Sequence, residues 1–279
     1  MITRGGRLVA AFVAVILVFF TWAFPVLWTA LTSFKLAKDI FAYPPKLTFE
    51  PTELNYQDVL GGDQSLVADL VTSTVISLGA TVLSVAAAIP MAYVFARCHL
   101  RFKNALALYT LFTYMIPRIG LVIPFFVAFR AFGLTGTYVG LIAVYLSFSL
   151  PFAVWLMVPY FEDLPREMEE ASLLDRAGRW RTLWYVILPQ VRGGIAITAI
   201  FVFITAWNEF LFGVVLSGSE IRPVTVAMYN FIGVEQTLWG PLTAGAIVAM
   251  IPVIVLGLGG QRGIVRGLTA GSIKGGSRG

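Results

Sequence analysis

The sequence predicts an all-α integral membrane protein with six transmembrane helices and both termini in the cytoplasm, and three observations carry that expectation. Of the 279 residues, 58% are hydrophobic and only 13% charged, against roughly 25% charged in a soluble globular domain. Six long runs almost free of charge follow one another, at about 8–31, 66–96, 105–129, 138–160, 193–216 and 243–258. Crossing the hydrocarbon of a bilayer takes about 20 apolar residues as a helix, and continuous runs specify helices instead of the alternating strands of a barrel. The basic residues sort by loop. With the N-terminus inside, 14 fall in inner segments, among them Arg97, Arg101, Lys103, Arg166, Arg176, Arg179, Arg181 and Arg192. Five fall outside, at Lys35, Lys38, Lys46, Arg130 and Arg222, and Arg118 lies within a run. That asymmetry is the positive-inside pattern, and it accounts for the net charge of +5 without a nucleic-acid partner.

The first run follows Arg4 and Arg7, has no small-residue cleavage site and reads as a retained anchor. Residues 1–65 thus comprise an anchor helix and an outer segment punctuated by Pro44, Pro45 and Pro51. A core domain over 66–262 follows. Its first run carries Ala80, Ser84, Ala88, Ala92 and Ala96 at intervals of four, a stripe that lets another backbone approach closely. Pro90, Pro117, Pro124 and Pro151 are expected to kink or locally open their helices. Residues 263–279 form a cytoplasmic tail, expected to fray in its glycine-rich end from Gly271. Cys98 is the sole cysteine, excluding an intrachain disulfide, and His99 the sole histidine. With no His-Glu-x-x-His pair and no Gly-x-Ser-x-Gly elbow, neither a catalytic nor a metal site is expected.

The inner loop at 162–190 has a helical pattern of its own. Asp163 and Pro165 are start signals, Glu167 sits where the helix dipole favours an anion, and Met168, Ala171 and Leu174 recur every third residue. Gly178 supplies a break, after which Trp180, Leu183, Trp184 and Ile187 repeat the spacing until Pro189. The expected product is a helical hairpin. Between Glu162 and Asp175 six acids, Glu162, Asp163, Glu167, Glu169, Glu170 and Asp175, stand against the single Arg166. An anionic lipid surface repels such an arm, so a basic groove on another protein is the better host.

Glu170-Ala171-Ser172, Asp175, Ala177 and Ile187-Leu188-Pro189 resemble the EAA loop of permease subunits of binding-protein-dependent ABC importers. Pro25, Leu27, Trp28, Ser33, Lys35, Asn55-Tyr56, Trp207-Asn208-Glu209-Phe210 and Gly267-Leu268-Thr269-Ala270-Gly271 widen the resemblance to nearly the whole chain. The similarity is to the carbohydrate-uptake branch, the group of the second permease of the maltose transporter. It implies a type I importer fold in a bacterial plasma membrane. It also implies a sister permease forming a heterodimer, an extracytoplasmic solute-binding protein, surrounding lipid, and a pair of ATPase subunits into which the hairpin docks as a coupling helix. The coupling residues carried over are Glu167, Glu169, Glu170, Ala171, Ser172, Asp175, Arg176, Ala177, Gly178 and Pro189. The family pattern has glycine where this chain has Arg176, so the turn is expected to shift toward Gly178. No Gly-x-x-x-x-Gly-Lys-Ser/Thr loop occurs, so ATP and magnesium are expected on the partner and no cofactor on this chain.

Arg118 and Glu209 lie within membrane runs, where ionisable groups are rare and usually functional. Counted from Asn104 and Gly194 their depths are similar, which allows either a buried ion pair or a shared water-filled cavity. Thr205, Asn208 and Glu209 are expected on one inward face, with Thr198 two turns below. Tyr145, Phe148, Phe152 and Trp155 keep helical spacing, and they serve either helix packing and lipid contact or stacking on a sugar ring. The expected substrate is an oligosaccharide, disaccharide or polyol. The alternatives are a glycerol phosphodiester carried by the same machinery, with Arg118 meeting the anion, and a secondary transporter, which would need no acidic hairpin.

Overall fold

The computed structural model describes residues 4–62, 65–98, 101–233 and 236–273, with side chains between residues 11 and 260. His99 and the end of the chain beyond Ile273 lie outside the described residues. Among the described residues every regular element is helical, and the one isolated β-bridge joins Ile232 to Thr237. The chain divides into two compact units, residues 1–68 with 227–251 and residues 69–226 with 252–279.

The first unit holds α1 (Arg4–Thr32), the short α2 (Ala37–Ile40) and α3 (Leu54–Gly61). On α1, Phe12, Phe19, Phe20 and Trp22 are each more than 60% exposed. A helix apolar on all sides needs lipid or another chain around it. Beyond α1 the motif residues gather. Ser33 Oγ and Tyr56 Oη share a hydrogen bond of 2.8 Å, and the Asn55 amide donates to the carbonyls of Ser33 and Lys35 at 2.8 and 2.9 Å. The buried Lys35 ammonium donates to the Lys46 carbonyl at 2.7 Å and lies 4.9 Å from the Trp28 ring and 5.0 Å from that of Phe49. The Lys46 ammonium, 2.8 Å from Asp39, holds that carboxyl below its ordinary value through a hydrogen bond.

The second unit is built on α4 (Val67–Arg97), α5 (Lys103–Met115), α6 (Arg118–Ala131) and α7 (Tyr138–Glu162). Thr137 caps α7, its hydroxyl accepting from the Gly140 amide at 3.0 Å. The small-residue stripe on α4 is packed throughout: Ala80, Ser84, Ala88 and Ala92 are 0% exposed and Ala96 7%. One apolar cluster joins Ala88, Ala92 and Ala96 to Ala153, Met157 and Phe161 of α7. With no space left along this face, Ala92→Leu is expected to cost about 1–3 kcal/mol through forced rotamers and backbone shifts. Thermal unfolding of the purified protein in detergent measures it. In the first turn of α4 the polar anchor is Asp69, whose carboxylate receives two bonds from Arg222 at 3.1 and 3.0 Å.

Two expected spans depart from single straight helices. The run at 105–129 is two helices, α5 and α6, bent by 89°. Ile116, with ψ 127°, takes the extended conformation forced on a residue before proline, and Pro117 itself lies outside α6. Helix continues through Pro90, Pro124 and Pro151. The run at 193–216 is likewise interrupted: α11 (Arg192–Trp207) and α12 (Leu211–Leu216) are separated at 208–210. Among the described residues four helices are long and apolar enough to cross a membrane, Ala11–Thr32, α4, α7 and Trp239–Gly260, or up to six if the bent pairs Lys103–Met115 with Arg118–Ala131 and Arg179–Gln190 with Arg192–Trp207 each count as one span. The last of these belongs to α13 (Trp239–Ile273), longer at both ends than the apolar run at 243–258.

Candidate functional site

The chain leaves α7 at Glu162 and forms α8 (Glu167–Leu174), a connecting turn, α9 (Arg179–Thr182), one π-turn over Leu183–Ile187, and α10 (Leu188–Gln190) before α11. The hairpin exists as the sequence predicts, with Glu167, Glu169 and Glu170 in the first turn of α8. Its apolar spacing misleads, however. Leu174 is 85% exposed and Ala171 exposed, while the face turned inward carries Met168, Glu169 and Ser172. In the second arm Leu183 and Ile187 are buried in the cluster shared with α4 and α7, whereas Trp180, Trp184 and Tyr185 are exposed at 62%, 48% and 78%. Pro189 does not end the pattern. It lies inside α10, where the preceding π-turn has already widened the helix.

The turn falls on Arg176, not on Gly178. Arg176 adopts φ 57°, the left-handed region, while Gly178 is extended at φ −68°, ψ 156°. The Ala177 amide donates to the Ser172 carbonyl at 3.1 Å and the Arg176 amide to that of Leu173 at 3.0 Å, the paired bonds of a Schellman cap. The arginine holds the left-handed conformation that suits glycine best, with the two cap bonds fixing the backbone there. Arg176→Gly is therefore expected to stabilise the hairpin by about 0.5–1 kcal/mol. A raised midpoint for loss of hairpin protection, read by hydrogen exchange, checks it.

Four polar contacts fix the hairpin, one between its own arms and three to α4. Ser172 Oγ and Thr182 Oγ1, both buried, meet at 2.9 Å and strap α8 to α9. Glu169 points away from the exposed face, its carboxylate 2.9 Å from Arg97 Nε as an ion pair off the axis of a hydrogen bond, and it accepts from Tyr93 Oη at 3.3 Å. Arg97 also donates to the Leu164 carbonyl. Glu167, Glu170, Ala171, Asp175, Arg176 and Gly178 remain exposed, Ala177 half-buried and Pro189 exposed. The roles of Thr182 and Arg97 were not legible in sequence, since nothing in spacing ties a residue ten or seventy positions away to α8.

The second constellation lies where both broken helices restart. Arg118 opens α6, and its guanidinium forms an ion pair with Glu209, which is 7% exposed between α11 and α12. The helix dipole disfavours a cation in that first turn, and the carboxylate offsets it. The other Glu209 oxygen accepts from the Phe212 amide at 3.1 Å, capping α12, and the Glu209 carbonyl accepts from Tyr145 Oη at 3.3 Å and Thr225 Oγ1 at 3.0 Å. Arg118 also lies 5.1 Å from the Phe148 ring. The expected polar face forms in part: Thr205 and Glu209 line one small cavity with Arg118, Tyr145 and Phe148, and Asn208 is not among its lining residues. Because α11 ends at Trp207, Glu209 is beyond it; Thr205 is half-buried and bonds back to Phe201, and exposed Asn208 bonds back to Ile204. Thr198 is buried. The four aromatics also separate. Tyr145 and Phe148 are packed at the ion pair, Phe152 stacks on Tyr114 at 5.3 Å, and Trp155 is 53% exposed.

Residues 84–270 match the family described as binding-protein-dependent transport system inner membrane component. The trehalose transport system permease protein SugB of Mycobacterium tuberculosis is 38% identical over 257 residues, 90% of this chain and 92% of that protein. The trehalose/maltose transport system permease protein MalG of Thermococcus litoralis is 32% identical over 265 residues, 90% and 91% of the two. Among solved structures, a chain of a bacterial ABC transporter involved in import of the acidic polysaccharide alginate superposes with a TM-score of 0.77 at 22% identity, over 94% of this chain and 98% of that one, a likeness of fold. The resemblance read from the Glu170 loop and the Trp207–Phe210 segment thus has independent support, and the chain belongs to the inner membrane components of binding-protein-dependent transport systems, the multi-pass permeases of ABC transporters.

Proposed function

We propose that the chain is one of two permease subunits of a bacterial plasma-membrane importer, and that it passes a sugar inward at the expense of ATP hydrolysed, with magnesium, on a partner ATPase pair. In this reading it spans the membrane six times with both termini inside, residues 66–262 being the core domain and 263–279 a cytoplasmic tail. A solute-binding protein delivers substrate outside, and a sister permease completes the path. The observation that carries the reading is the hairpin, whose inner face is anchored in the helical core while Glu170, Leu173, Leu174, Trp180, Trp184 and Tyr185 stand exposed. The acidic first arm, with Glu167, Glu170 and Asp175 exposed, calls for a host of opposite charge, while the exposed Arg176, Arg179 and Arg181 lie on the turn and the second arm.

A sugar substrate is supported by the trehalose and maltose systems of the two relatives. The ion pair adds to it: Glu209 neutralises Arg118, which removes the cation that a phosphodiester would have sought. Vesicles reconstituted with this chain and its partner subunits should accumulate a disaccharide only when both ATP and the binding protein are supplied. Accumulation without ATP overturns the reading in favour of a secondary transporter.

A further inference from the structure

At the hairpin end of α4 the structure holds a cavity of about 630 Å³ whose charged lining residues are Arg97, Arg101, Lys103 and Arg166, with no carboxylate among its described lining residues. A second cavity, about 460 Å³, runs between α5 and α7 against the mainly apolar Ala107, Leu108, Leu111, Trp155 and Val158, with Thr110 and the Glu162 carboxylate also in its lining. Lys103 and Asn104 line both, so the basic cavity and the apolar groove adjoin. One end is built for an anion and the other for hydrocarbon.

The charges are not equivalent. Arg97 is committed to Glu169 and to the Leu164 carbonyl, with its side chain only 5% exposed. Lys103 lies 4.0 Å from Glu162 in a loose, exposed pair, side chains 36% and 53% open, which leaves donors on the ammonium. Arg101 and Arg166 are exposed. The groove has its own unexplained feature: Trp155 and Leu108 are 53% and 66% exposed on a chain that spans the membrane. An exposed tryptophan close to charged residues is the usual side-chain solution for a membrane interface.

We propose that the two cavities form one binding site for an anionic phospholipid, its phosphate held by Arg101, Lys103 and Arg166 and an acyl chain lying along α5 and α7 past Trp155. The apolar half selects a lipid over a soluble phosphate, and the basic half selects an anionic headgroup over a zwitterionic one. The site depends only on the chain being in a membrane, not on its orientation or on docking of an ATPase. Because Arg166 precedes α8 directly, an occupied site also ties lipid to the base of the hairpin.

The test is native mass spectrometry of the protein purified with its accompanying subunits in mild detergent, titrated with phosphatidylglycerol or phosphatidylcholine of identical acyl chains. Phosphatidylglycerol is expected to bind at least about tenfold more tightly. R101Q/R166Q should abolish that preference, R101K/R166K should keep it, and Ala107→Trp, which fills the groove, should weaken both lipids. Glycerol 3-phosphate at millimolar concentration should not compete. Equal binding of the two lipids, a preference unmoved by R101Q/R166Q or lost equally in R101K/R166K, or competition by glycerol 3-phosphate with Ala107→Trp silent overturns the proposal. So does photocrosslinking from position 107 to another subunit instead of to lipid. Failure of ATP-dependent uptake with the lipid preference intact would refute the proposed transport cycle alone.

Discussion

Glu170→Lys should abolish copurification of the ATPase while leaving membrane insertion and the melting temperature of the subunit unchanged. Glu170 is exposed in the first turn of α8, next to the exposed Ala171 and on the same arm as Leu173 and Leu174. Reversing its charge costs the fold little and places a cation where a basic host must sit. Loss of a charge-assisted contact at an interface costs about 2–5 kcal/mol, on the order of a hundredfold or more in affinity. Glu169→Lys is the informative contrast. That residue faces Arg97 and Tyr93, so its reversal should lower the melting temperature of the subunit itself. Undiminished ATPase recovery with Glu170→Lys would remove the hairpin from the docking surface.

Glu209→Ala is expected to be the most damaging single change in the membrane segments, costing about 3–5 kcal/mol because it strands the Arg118 guanidinium without its counter-ion. It also uncaps α12 at Phe212. Arg118→Met strands the carboxylate and should cost nearly as much. The double variant Arg118→Met with Glu209→Gln leaves no unpaired charge and keeps a side chain able to accept from the Phe212 amide. It should recover much of the loss, and a double-mutant cycle on thermal stability in detergent measures how much. Strict additivity of the two substitutions would mean that the charges do not act on each other. A charge swap is a poorer test than symmetry promises, since arginine at position 209 cannot accept the Phe212 amide.

The sequence showed what periodicity and charge can show. Long apolar runs marked the helices, intervals of four on α4 marked a packing face, and equal depth in two runs brought Arg118 to Glu209. Each of these depends on local spacing, which survives folding. What failed was continuity. Pro117 and the Asn208–Phe210 segment each divide a run whose hydropathy does not change across the break, because lipid rewards apolar side chains whatever the backbone does. The hairpin failed differently: Leu174 and Ala171 imitate a core stripe but are exposed, and polar Ser172 is buried because Thr182 satisfies its hydroxyl. Apolar spacing reports a surface that becomes covered, and under the proposed function the covering of this one belongs to a partner ATPase. Arg176 shows the opposite limit, where cap bonds from Ala177 and Arg176 impose a left-handed backbone on a residue whose identity argues against it.

The two helix breaks have a mechanical meaning. Leu183 and Ile187 of the hairpin belong to the same packed cluster as Ala92, Phe161 and Met157, so the hairpin and the α4–α7 pair have little compliance between them. In the proposed cycle a push on the second arm is then delivered to the whole block through Leu183 and Ile187. Compliance is concentrated where the helical ladder is interrupted, at Ile116–Pro117 and around Asn208, and both joints meet at one electrostatic latch, Arg118 with Glu209. A stiff lever thus faces a pair of hinges fastened by the Arg118–Glu209 pair together with the Phe125, Phe148 and Phe212 rings packed beside it.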